Sequence, residues 1–272
     1  MVAILIKTRG PKRGVCNICG KYGSLSEDHT PPKGCMKATS KEIYGIHVHL
    51  QQKLPLSKGT ISQNGVKYRT LCENCNNGLL GTEYDPSFIS FVNDLALYLK
   101  TQFHISPAIN IKTKPQRVIR SLLGHIDAQG VGRHEKGEIT EPLKAYFLDP
   151  SQHLPDSLNI YCWPFPYKHH VMARDCAMGI FTDGPLEVFS IWFLKFFPVA
   201  FMVTFDKPET IKYDYMTCLS DYRRLGIDDE IEVTMNLDKI IHPWWPEIPD
   251  DNFVLLYGEQ AITSFDARKR KK

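Results

Sequence analysis

Cys16-Asn17-Ile18-Cys19-Gly20 and Cys72-Glu73-Asn74-Cys75-Asn76 are two C-x2-C knuckles separated by 52 residues. Cysteines spaced this way can present both thiolates to one ion, and two such pairs from separate segments complete a tetrahedral four-thiolate zinc site. The spacing therefore predicts a structural zinc on Cys16, Cys19, Cys72 and Cys75. The opening MVAILIKTRG has too short an apolar run before Lys7 and Arg9 for a secretory or membrane segment, so a cytoplasmic location is expected. In that reducing compartment eight cysteines do not form a disulfide framework, and metal binding is the natural use of the clustered ones. Cys35, Cys162, Cys176 and Cys218 show no comparable pairing and are read as ordinary.

Around the knuckles, from Gly10 to Gly81, the chain is rich in Gly, Pro, Lys, Cys and His and lacks long periodic apolar runs, as expected where a metal supplements a core. The whole chain is globular in composition, with 43% hydrophobic and 23% charged residues among 272. Its charge is uneven. Residues 1–100 carry 13 Lys/Arg against 7 Asp/Glu, whereas residues 101–267 carry 15 against 23. A polyanion should prefer the N-terminal part, aided by the basic tail 268–272. Residues 189–204, FSIWFLKFFPVAFMVT, are the most apolar stretch, but Lys195 and Pro198 interrupt it and it is too short to span a bilayer. It reads as buried core.

Between the knuckles lies Ser26-Glu27-Asp28-His29-Thr30-Pro31-Pro32. Adjacent Asp and His suit phosphodiester hydrolysis: a carboxylate holds a hard divalent ion, and a neutral imidazole takes a proton from the attacking water. Neighbouring strand residues point to opposite sides, so a bulge or turn is needed for both to serve one site.

C-x2-C, then D-H-x-P-P, then C-x2-C-N resembles the zinc-containing HNH (ββα-metal) nucleases of the phage endonuclease VII type, over residues 14–86. The resemblance implies a two-stranded hairpin and a helix crossing one metal. Asp28 would ligate a catalytic magnesium or manganese ion, His29 would activate water, and Asn76 would be the other ligand. Two departures stand out. Residues 30–71 are longer than a minimal hairpin needs, so an insertion is expected there, and Lys67 occupies the position where the family often has an Asn that orients the histidine loop, a role that could move to Asn64.

Among the basic residues around the motif, Lys33, Lys37, Lys67 and Arg69 are candidate nucleic-acid contacts, with Lys53 and Lys58 in the same group. His47 and His49 alternate and read as an exposed strand face; His169 and His170 have no acidic or cysteine neighbour and are assigned no role.

The predicted fold class is α+β: a zinc-stapled ββα-metal (HNH) domain over 1–103, then a larger α+β domain over 104–272. Helices are expected at 86–102, with Asp85 as cap, and at 116–126; strands at 143–148, 158–163, 199–205, 230–235 and 253–257. Tyr161–Tyr167 and His242–Glu247 place aromatics beside prolines and read as closing a core edge. The function implied is a metal-dependent DNA endonuclease, possible in bacterial or phage defence. RNA is a further substrate class, a second copy or a protein activator a further partner, and no membrane is involved. A non-catalytic zinc module binding nucleic acid or protein is the alternative.

Overall fold

The computed structural model describes residues 6, 8–46, 50, 59–102, 104–131, 137–181, 186–205, 215–248 and 253–267. His47, His49, Lys53, Lys58 and the basic tail lie outside the described residues.

The N-terminal part folds as a three-stranded antiparallel sheet, β1 (Arg13–Val15), β2 (Tyr22–His29) and β5 (Lys67–Cys72), in the order β1-β2-β5. Immediately after β5 the chain winds as a wide π-helix, Asn74–Tyr84, that runs into helix α1 (Asp85–Thr101). Phe88, Phe91, Val92 and Leu95 are buried at helical spacing along α1. Asp85 does not cap this helix. Its backbone is already helical, and its side chain is drawn instead to Ser121 and His125 of α2 (Pro115–Ala128).

α2 is buried along nearly its whole length and lies against the π-helix closely enough that a Cβ on Gly124 would meet Leu80 Cδ2 at 2.4 Å. Residues 143–148, expected as a strand, belong instead to helix α3 (Thr140–Leu148). Leu143, Tyr146 and Phe147 are buried at i, i+3 and i+4, the spacing of one helix face.

The largest layer is a nine-stranded antiparallel sheet, built on β3 (Lys41–Gly45), β4 (Thr60–Ser62), β7 (Leu158–Pro164), β8 (His170–Ile180), β9 (Glu187–Phe196), β10 (Val199–Phe205), β11 (Thr217–Cys218), β13 (Phe253–Leu256) and β14 (Ile262–Asp266). Its order is β11-β7-β10-β9-β8-β14-β3-β4, with β13 also on β8. The apolar stretch 189–204 is β9, a turn at Phe197-Pro198 and β10. It lacks polar alternation because both faces of these strands are covered. Trp192, Leu194, Phe196, Val199, Phe201 and Val203 enter one core, while Ile191, Phe193, Ala200 and Met202 enter another on the opposite face. A separate ribbon pairs β6 (Ala108–Thr113) with β12 (Ile231–Asn236).

The expected division at 103/104 does not mark a change of core. One cluster runs from Ile18 and Leu71 through Phe88 and Leu122 to Phe201, and the Phe88 and Phe201 rings lie 5.4 Å apart. The insertion expected between the knuckles also crosses that line, because its strand β3 pairs with β14 near the C-terminus, Ile262 opposite Gly45 through Asp266 opposite Lys41. Mixed helices and sheets with a cysteine cluster at the N-terminal end are thus what the fold contains. No helix among the described residues is long and apolar enough to cross a membrane.

The aromatic–proline segments close a core edge, as expected. Trp163 is buried and meets Trp245 edge-on at 5.7 Å. Beneath them Lys195, fully buried, donates to Pro243 O and Trp245 O at 2.9 Å each and to Glu247 Oε2 at 2.7 Å.

Candidate active site

Cys16, Cys19, Cys72 and Cys75 converge with their sulfurs all within 4.8 Å of one another. A regular tetrahedron of thiolates about 2.3 Å from zinc has S–S edges of about 3.8 Å. The Cys19–Cys72 separation is 3.8 Å. Without a cation the four sulfurs cannot all ionise: a hydrogen bond from Cys75 pulls Cys16 down to about 4, while Cys75 and Cys19 are pushed upward, the first by that same bond and the second by burial. A divalent ion removes that conflict. The cluster can hold a metal such as zinc.

The knuckles also anchor the end of α2. Asn17, inside the first knuckle, donates to Asp127 O at 2.8 Å, and Thr70 of β5 donates to Ala128 O at 2.6 Å. Arg174 of β8 donates to Asp127 O and Gln129 O at 2.9 and 2.8 Å. Helix C-termini leave carbonyls without partners, and these three side chains satisfy them. The consequence is that His125, within the last turn, is held at a fixed place.

That place is against Asp28. His125 Nδ1 lies 2.8 Å from Asp28 Oδ2, and its Nε2 lies 2.9 Å from Asp85 Oδ1, which also accepts from Ser121 Oγ at 2.7 Å. His125 is 1% exposed and Asp28 3%. Burial alone would lower the imidazole, but the flanking carboxylates outweigh it and raise His125 to about 10, so it is an imidazolium donating both N–H groups. Burial pushes Asp28 upward, partly offset by His125, whereas for Asp85 the His125 and Ser121 contacts overcome burial and hold it below the usual carboxylate range. Neither His125 nor Asp85 was a candidate from sequence.

His29 closes β2 and is half-buried, on the side opposite Asp28 as strand alternation requires. A bulge is present at the Ser26/Glu27 register shift, but pairing is regular from Glu27 to His29, so it does not turn Asp28 and His29 to one face as expected. Asn64, to which the family's orienting role could move, adopts the left-handed conformation (φ 61°) ahead of Gly65 (φ 93°), where an added Cβ would meet His29 Cδ2 at 3.7 Å. Burial, reinforced by Lys67 and Lys33, keeps His29 below its ordinary value, so the ring is neutral at pH 7.

Asn76, in the first turn of the π-helix, ties that helix back to β2: its Nδ2 donates to Ser26 Oγ at 3.0 Å and to Glu27 O at 3.1 Å. Asp28 Oδ1 and Asn76 Oδ1 accept no hydrogen bond among the described residues. The basic candidates divide into two groups. Lys67 and Arg69 are committed to Glu27, at 3.1 and 2.9 Å, with Arg9 3.5 Å from the same carboxylate, so they stiffen the hairpin before they could meet a ligand. Lys33 and Lys37 are exposed and line a pocket with His29, Lys41 and His170. His170, assigned no role from sequence, is thereby brought to the candidate site; its signal is tertiary, since 141 positions separate it from His29. The chain matches no known family model, no curated protein and no solved structure at a significant level.

Proposed function

We propose that this chain is a divalent-metal-dependent endonuclease that hydrolyses phosphodiester bonds in DNA, with a zinc-stapled ββα-metal site on Asp28, His29 and Asn76. The observation that carries the reading is the junction of β2, β5 and the π-helix over the cysteine cluster: Asn76 is bonded to the backbone beside Asp28, and His29 follows Asp28 at the end of β2. Asp28 Oδ1 and Asn76 Oδ1 are hard oxygen donors of the kind magnesium and manganese take. The ion would supply Lewis-acid stabilisation of charge at the scissile phosphate.

The protein's own groups have separable tasks. His29, which lines one pocket with Asn64 and Gly65, would accept a proton from water. His125 and Asp85 fix the Asp28 carboxylate, a carboxylate–histidine relay of the sort that orients ligands from behind. Zinc on the four cysteines locks the two segments that carry Asp28 and Asn76. A second reading, a non-catalytic zinc module for nucleic acid or protein, is favoured by one observation: Asp28 is buried and already paired with His125.

Plasmid incubated with zinc-loaded wild type, His29→Ala and Asp28→Asn, with magnesium, manganese or neither, separates the two. Nicking by wild type alone, dependent on the added ion, supports the nuclease. Binding with no cleavage under either ion supports the module.

A further inference from the structure

The pocket in front of His29 holds a feature that the cleavage chemistry above does not use. It is lined by His29, Lys33, Lys37, Lys41, Gly65 and His170, among other residues, none of them acidic, and a water-sized group has about 20 Å³ in which to sit. That is room for one water or one phosphate oxygen. His170 is 4% exposed, and neither ring nitrogen has a hydrogen-bond partner among the described residues. Its aromatic neighbour Phe196 is set edge-on, ring centroids 6.4 Å apart. Buried polar groups are normally satisfied, and one left open at a pocket wall calls for a ligand atom.

The surrounding charges say which kind. Lys41 is held by Asp266 at 2.8 Å, and Thr39 donates to the same carboxylate at 2.6 Å, so this carboxylate is turned to its own cation and hydroxyl. Lys33 and Lys37, exposed at the rim, have no ion-pair partner among the described residues. Burial and Lys41 together pull His170 down to about 3, so it is neutral, with one N–H to give.

We propose that this pocket is a phosphate subsite, in which the His170 ring donates to a non-bridging oxygen of a nucleic-acid phosphodiester beside the one facing His29, while Lys33 and Lys37 close over the anion from the rim. The assignment rests on the nuclease reading for its substrate, though the anion site stands on the pocket itself. It makes the C-terminal part a contributor to the substrate-binding surface, in spite of its acidic balance.

The test is a long-range proton–nitrogen spectrum of the zinc-loaded, nitrogen-labelled full chain, with the His170 ring identified by its loss in His170→Gln. Inorganic phosphate, added at constant ionic strength against chloride, is expected to shift the His170 ring signals. A DNA duplex added to the His29→Ala protein should shift the same signals, and Lys33→Ala/Lys37→Ala should weaken both by roughly tenfold. Unmoved His170 signals, or equal shifts with chloride, overturn the subsite; a response to phosphate but not to the duplex overturns its assignment to nucleic acid. In plasmid cleavage, His170→Gln should raise KM roughly tenfold with kcat little changed. Wild type and His170→Gln cutting with equal KM would remove the subsite and leave the nuclease, whereas phosphate shifts in a protein that cuts nothing would remove the nuclease and leave the anion site. Zinc content and thermal unfolding confirm that each variant is folded, and the lysine pair, being exposed, tests the idea without touching the core.

Discussion

Replacing His125 with Gln removes a buried cation from between Asp28 and Asp85, contacts of 2.8 and 2.9 Å at a side chain 1% exposed. Its rise from 6.5 to about 10 corresponds to a ceiling of about 5 kcal/mol at 1.36 kcal/mol per unit. Asp28, itself pushed upward by burial, takes back part of this. Breaking a buried pair by deleting one partner costs about 3–5 kcal/mol, so the expected loss lies in that range at pH 6.

The pH dependence follows from the same shift. A group whose folded-state value is raised contributes fully below its unfolded value and loses the contribution as pH climbs through the folded one. Wild type should therefore lose stability relative to His125→Gln between pH 6.5 and about 10. Urea unfolding of both proteins, zinc-loaded, across that range is the assay. A variant within 1 kcal/mol of wild type at pH 6 (set against the roughly 3–5 kcal/mol expected), or a difference that does not narrow as pH rises, would refute the relay.

Three further outcomes are expected. Metal analysis should find one tightly held zinc on the four cysteines, and Cys16→Ser or strong chelation should lower the unfolding midpoint, because structural zinc binding is worth roughly 10–16 kcal/mol to its folded site; a chain with no zinc and an unchanged midpoint would remove the staple. Lys195→Met should cost about 3–5 kcal/mol by stranding buried Glu247, and Lys195→Met/Glu247→Leu should recover most of it, as read by thermal unfolding. The acid limb of kcat/KM for plasmid cleavage should have its midpoint below 6.5, because burial holds His29 under its ordinary value; a midpoint above 7 would show that the ring is not the base.

The knuckles were legible because four thiols at fixed local spacing have few uses, and the fold brings all four sulfurs together. The bulge expected to turn Asp28 and His29 to one face is not what the strand shows: the register shift falls at Ser26/Glu27, and pairing is regular from Glu27 to His29. What could not be read is contact across the chain. Asp85 looks like a cap from its neighbours Tyr84 and Pro86, yet it serves His125, 40 residues away. His125 itself resembles an ordinary polar residue among Leu122, Leu123 and Ile126 until α2 is docked. The strand expected at 143–148 failed because Leu143, Tyr146 and Phe147 also satisfy a helical face, and a short apolar run does not distinguish the two periods. The boundary expected at 103/104 follows the end of the helix read at 86–102, and strand pairing between 41–45 and 262–266, which no local pattern announces, runs across it.

The central claim is that His29 takes the proton from the attacking water. Its most direct test is plasmid cleavage by His29→Gly with and without added imidazole, in the presence of magnesium or manganese. The account predicts that the variant is inactive, that imidazole restores cutting, and that wild type is unaffected by it. Cleavage by His29→Gly as fast as wild type in the absence of imidazole would contradict the account.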